Sequence, residues 1–150
     1  MVKNITASDL GFHVTGEESE LFRWFLASYL FGKRIQQAVA RRTWEVFMNH
    51  HVDTPKKISN QSWQQLVDLL GEGHYRRYDE STARNLLLAS DKLIKDYGGK
   101  ICNMYEASSD EEDFKRKLNE LKGVGPKTVE IFLREVEPVL YGRKVANGKI

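Results

Sequence analysis

Gly123-Val124-Gly125, preceded by Leu121-Lys122 and followed by Pro126-Lys127-Thr128-Val129, is the stretch of this 150-residue chain whose residue types and spacing can do chemistry. A glycine lacks Cβ, so it can take positive φ and let another backbone come close; two of them around one valine predict a tight bend. Pro126 brings φ already set for a first helical position, where a missing N–H removes nothing. The amides left unpaired at the start of that helix, together with the positive end of its dipole, favour an anion. Gly123, Val124, Gly125 and Thr128 would offer backbone to it, with the ammonium groups of Lys122 and Lys127 alongside. The chemistry predicted is the gripping of phosphate by a backbone, without reading of bases.

The other reactive side chains point to fewer possibilities. A single cysteine, Cys102, excludes a disulfide or a cysteine-ligated zinc or iron–sulfur centre built within one chain, and it reads as a small buried hydrophobe. His13, His50, His51 and His74 lack the i, i+4 spacing that puts two imidazoles on one helical face. The formal charge is only +2, but residues 33–57 hold six basic side chains against two acidic ones, a local excess of +4 that begins at Lys33 and Arg34. Tyr75 and Tyr78 flank Arg76 and Arg77 in a loop, a basic and aromatic group suited to a nucleic-acid backbone and its bases. Hydrophobic residues at 41% with charged residues at 29% describe a soluble globular domain with no apolar run of membrane-spanning length. Met1-Val2-Lys3-Asn4-Ile5 has none of the apolar core of a signal peptide, and the expected location is cytoplasmic, with the nucleoid.

The elements that must hold these residues all read as helices. Thr15-Gly16-Glu17-Glu18 has the pattern of a capping box, followed by Leu21, Trp24, Phe25 and Ser28 on one face up to Gly32. A second helix is predicted over about 33–50 and is stopped by Thr54-Pro55; a third runs from about Ser59 to Leu70 with Trp63 inward. Ala83, Leu86, Leu87, Ser90, Leu93, Ile94 and Tyr97 follow the i, i+3, i+4, i+7 pattern before Gly98-Gly99. Ser108 or Ser109 caps a fifth helix carrying Phe114, Leu118 and Leu121, and Val129, Phe132, Leu133 and Val136 mark a sixth that Pro138 ends. No alternating pattern predicts a sheet. The expectation is one all-α domain of six helices: a leader at 1–14, a bundle at 15–107, a pair of helices around the glycines at 108–137 and a tail at 138–150.

Residues 121–129, with the succession of elements over residues 20–136, resemble the helix-hairpin-helix superfamily of base-excision DNA glycosylases, endonuclease III and its relatives. The matching features are an apolar helix ending in Leu26-Ala27-Ser28, a basic helix, a short Trp63 helix, the loop Gly73-His74-Tyr75-Arg76-Arg77-Tyr78, a long helix ending in Tyr97-Gly98-Gly99, and the hairpin. The resemblance implies a six-helix barrel closed by the hairpin, double-stranded DNA as partner, and DNA glycosylase and AP lyase activity in base-excision repair. In lysine-type members the lysine two residues after the second hairpin glycine attacks C1′ of the damaged nucleotide; Lys127 stands there, where the helix dipole would favour its neutral form. Also implied are a base pocket bordered by Tyr29, Phe31, Tyr75 and Tyr78, and a structural potassium or sodium ion on the carbonyls of Asn119, Leu121 and Val124. No other cofactor is required.

The chain departs from that pattern in three places. The aspartate expected eighteen or nineteen residues after the lysine is replaced by Val145-Ala146, leaving Glu130, Glu135 and Glu137 as substitutes. Leu30 stands where endonuclease III relatives carry a glutamine that fills the gap of a flipped base. The C-terminal half-domain with its iron–sulfur cluster is missing, so either a partner chain or further polypeptide completes the cleft or the chain is a minimal relative. The alternative reading is a non-catalytic, sequence-independent DNA-binding protein, and a third is a helical module that binds another protein.

Overall fold

Apolar residues recurring every three to four positions fold the chain into an all-helical structure; the structure, a computed structural model, describes residues 4–141. Among the described residues there is no strand, and eight α-helices follow a short 3-10 turn at Ser8–Leu10. They are α1 Glu18–Phe31, α2 Gln37–Asn49, α3 Pro55–Ser59, α4 Trp63–Glu72, α5 Asp79–Tyr97, α6 Ile101–Glu106, α7 Glu111–Asn119 and α8 Pro126–Val136. No described helix is long and apolar enough to cross a membrane.

The centre of the fold is α1. Its residues from Leu21 to Leu30, Arg23 apart, are all buried, so it is apolar all round and not on the single face that the spacing of Leu21, Trp24, Phe25 and Ser28 predicts. It packs against α2, α6 and α8. Phe25 meets Phe132 edge-on at 5.8 Å, and the Trp24 indole donates to the Phe132 carbonyl at 3.1 Å. Because α8 runs along α1, the residues before α8 are brought to the carboxyl end of α1.

Several expected boundaries are corrected. The capping box at Thr15 does not form: Glu17 is the N-cap without a side-chain bond, Thr15 bonds Glu20, and the Glu18 carboxylate accepts from the Ile101 and Cys102 amides at 2.9 and 2.7 Å, capping α6. The second helix begins at Gln37, because Lys33 to Gln36 form an irregular turn. Asp110, not either serine, caps α7 through the Asp113 amide at 2.8 Å, while Ser108 is buried and donates back to Met104. Pro138 does not end the last helix. A π-helical turn, Glu137–Tyr141, continues it and stacks Tyr141 on Tyr105 at 5.6 Å. Trp63 is 37% exposed, and its indole N–H donates to the Glu80 carbonyl at 3.1 Å. Ala7 and Leu10, within the expected leader, are buried. Val145-Ala146 and the rest of 142–150 lie outside the described residues.

Candidate nucleic-acid interface

Leu118, Leu121 and Val124 turn their side chains into the core, and these anchors shape the segment between α7 and α8. The Leu121 amide bonds Leu118, and the Val124 amide bonds Leu121, each at 3.1 Å. Gly123 takes φ +83°, as the bend requires. Gly125 does not: at φ −114°, ψ −175° it is the extended N-cap of α8, with Pro126 in the first turn. The positive φ expected at both glycines is present at one, since once Gly123 has reversed the chain the next two residues only lead into a helix.

The amides of Lys122, Gly123, Gly125, Lys127 and Thr128 have no acceptor among the described residues. Exposed Lys122 and Lys127 flank them. Val124 contributes no free donor because its amide is bonded. Thr128 is corrected as a contact: the whole residue is 2% exposed, its side chain packed against Gly32, where a Cβ would collide with it.

Behind this turn stands the end of α1. The Tyr29 hydroxyl donates to the Lys122 carbonyl at 2.8 Å, and the Lys33 ammonium donates to the Gly123 carbonyl at 2.5 Å while lying 4.3 Å from the Tyr29 ring centroid. Burial pushes the Tyr29 hydroxyl well above the ordinary tyrosine range, with Tyr75 adding to the effect, and burial pulls the Lys33 ammonium below the ordinary lysine value. Asn85 of α5 also stands close to Gly123, its Cβ 3.2 Å from where a Cβ on that glycine would lie. The expected pocket-lining role of Tyr29 is thus replaced by a buried brace, and Leu30, fully buried, cannot fill a gap in DNA.

Arg34, Arg76 and Arg77 are brought together by the fold. With Ile35, Val39 and His74 they border a groove of about 460 Å³, and none of the three pairs with a carboxylate among the described residues. His74, in the left-handed conformation, turns the chain out of α4 so that Arg76 and Arg77 follow on the surface. Sequence reasoning missed His74 in this group, although its position directly after Gly73 marks a helix stop. Tyr75 is corrected: it is 1% exposed and its hydroxyl meets Thr82 at 3.1 Å, so it holds the loop and does not face solvent. Tyr78 is 38% exposed, with the Arg77 guanidinium 5.2 Å from its ring.

The Lys127 Nζ stands 4.0 Å from the Glu130 carboxylate, which Arg134 holds at 3.0 Å. Lys127 also borders a pocket of about 160 Å³ with Phe31, Ile35 and Ile131. Of the substitute carboxylates, Glu135 is taken by the Ala7 amide, and Glu130 is the one beside Lys127. The carbonyls of Asn119 and Val124 accept nothing among the described residues, and that of Leu121 accepts one amide. Cys102 is half-buried, its thiol donating to Gly16 at 3.7 Å. The described residues contain no group of three or more His, Cys, Asp or Glu able to hold a metal. Compared with protein-family models, curated proteins and solved structures, the chain matches none.

Proposed function

We propose that this chain binds double-stranded DNA through a helix-hairpin-helix made by α7, the glycine turn and α8, and that it acts in base-excision repair as a glycosylase or AP lyase of the endonuclease III type. The observation that carries the reading is the set of four unpartnered amides on exposed or half-buried residues, at Lys122, Gly123, Gly125 and Lys127. Exposed amides around a helix start with ammonium groups beside them suit a backbone phosphate. The arginine groove offers the second contact, so that Lys122, Lys127, Arg34, Arg76 and Arg77 follow the backbone while Tyr78 meets bases.

In the catalytic step, the Nζ lone pair of Lys127 attacks the C1′ aldehyde of an abasic site, and an imine forms as water leaves. A proton then leaves C2′ and the 3′ phosphate departs with its bonding electrons. Glu130 is the carboxylate near enough to relay protons. The fit of a potassium or sodium ion rests on the spare lone pairs of the Asn119, Leu121 and Val124 carbonyls; a bound ion would add a fixed positive charge beside the phosphate.

Borohydride reduction on duplex DNA containing one abasic site tests the proposal. Native protein is expected to form a covalent adduct and the Lys127→Ala variant none, while that variant keeps duplex affinity within about tenfold. Duplex binding without an adduct would favour the non-catalytic reading, which the exposed surface pairing of Lys127 with Glu130 also suits. No binding to any duplex would end both.

A further inference from the structure

We infer that Lys33 is not a phosphate ligand but the internal cation of the glycine turn, and that with Tyr29 it holds two successive carbonyls so that the Gly123 amide faces outward while the Val124 amide closes the turn. The inference rests on the DNA-binding reading for its consequence, though the brace itself is a property of the free protein.

A trans peptide unit is planar, with its C=O and N–H pointing in opposite directions, and none of the described peptide bonds is cis. The Lys122 carbonyl is bonded at 2.8 Å to the buried Tyr29 hydroxyl. The amide of the same peptide unit belongs to Gly123, so fixing that carbonyl inward aims the Gly123 N–H away from α1. The next carbonyl, that of Gly123, takes the Lys33 ammonium at 2.5 Å. The N–H of that unit, on Val124, then points back along the turn to the Leu121 carbonyl at 3.1 Å. Two side chains from the end of α1 and the turn after it thus set the orientation of two consecutive peptide units.

Lys33 is suited to this and poorly suited to reaching DNA. Its ammonium lies over the Tyr29 ring at 4.3 Å, where the ring quadrupole attracts a cation. Burial lowers its pKa, which marks a group withdrawn from water and not one extended into it. A lysine that neutralises a phosphate releases counterions and steepens the salt dependence of binding, whereas a lysine spent on a carbonyl does not. Gly123 completes the arrangement, because a Cβ there would fall on the Tyr29 hydroxyl.

Two measurements on the intact chain decide the matter. In the free protein, Lys33→Met, which keeps the apolar stem, and Tyr29→Phe, which removes only a hydroxyl, are each expected to speed hydrogen exchange of the Val124 amide at least tenfold while α5 amides keep their protection. Unchanged Val124 protection in both variants overturns the brace. In duplex titrations over a salt series, Lys33→Met is expected to lose about tenfold in affinity with the slope of log K against log salt unchanged, whereas Lys122→Ala lowers that slope by about 0.9. A fall of that size in Lys33→Met would make Lys33 a direct phosphate contact and overturn the inference. If native protein binds no duplex, the DNA reading fails, and the exchange experiment still decides the brace.

Discussion

Gly123 and Gly125 flank the same valine yet meet different demands. Gly123 is held at φ +83° with Tyr29 and Asn85 against it, while Gly125 has an extended backbone with nothing within 4 Å of a would-be Cβ. An L side chain in the left-handed region costs about 1–2 kcal/mol, and Gly123→Ala would also displace the Tyr29 hydroxyl from the Lys122 carbonyl. Its unfolding free energy is therefore expected to fall by about 2–3 kcal/mol. Gly125→Ala should cost under about 1 kcal/mol, the penalty of a poorer N-cap. Urea unfolding of the two variants checks the contrast, and equal losses would contradict it. The spacing of the glycines alone cannot tell them apart, because positive φ follows from which carbonyl turns inward, and that is decided by a residue some ninety positions away.

Among the elements, those that announce themselves by period are the ones the sequence predicts well. The apolar spacing from Ala83 to Tyr97 and the stop at Gly98 correspond to α5 and its left-handed cap. The short helices α3 and α6 run five and six residues, too few for a 3.6-residue period to show. Caps mislead for another reason: Thr15 and Glu18 have the right types, but the Glu18 carboxylate closes the amide end of α6 instead of its own helix, a choice made by tertiary packing. The part of the candidate site that is local in sequence, the glycine turn and Pro126, was legible on the same grounds. The bonds from Tyr29 and Lys33, 93 and 90 residues distant from their acceptors, were not. Asp110 illustrates a cap that acts on the site element itself. Its carboxylate accepts the Asp113 amide at 2.8 Å, so Asp110→Ala is expected to lower stability by about 1 kcal/mol. Thermal unfolding gives the value; no change would mean that Ser109 takes over the cap.

For the whole molecule, buried tyrosine hydroxyls join its parts. Tyr29 ties α1 to the glycine turn, and Tyr75, bonded to Thr82, ties the arginine loop to α5. Burial raises the pKa of both, Tyr29 strongly, and outweighs the opposing bond from Thr82 at Tyr75. The unfolded chain releases a tyrosine proton near pH 10 while the folded chain keeps it. Above that pH the unfolded state binds fewer protons, so stability must fall as pH rises. Each such tyrosine contributes up to about 1.4 kcal/mol per pH unit until its folded-state pKa is reached. Lys33 acts in the opposite sense, since its folded pKa is lowered, but that contribution is complete once unfolded lysine titrates near pH 10.4. Chemical unfolding between about pH 10.5 and 12 is therefore expected to show a steep loss of stability in the native protein and a shallower one in Tyr29→Phe. The variant would be the less stable at neutral pH, where the bond to Lys122 is missing, and the two curves would converge as pH rises. Parallel curves would show that the Tyr29 hydroxyl titrates freely, and with it the connection between the core and the turn would be lost.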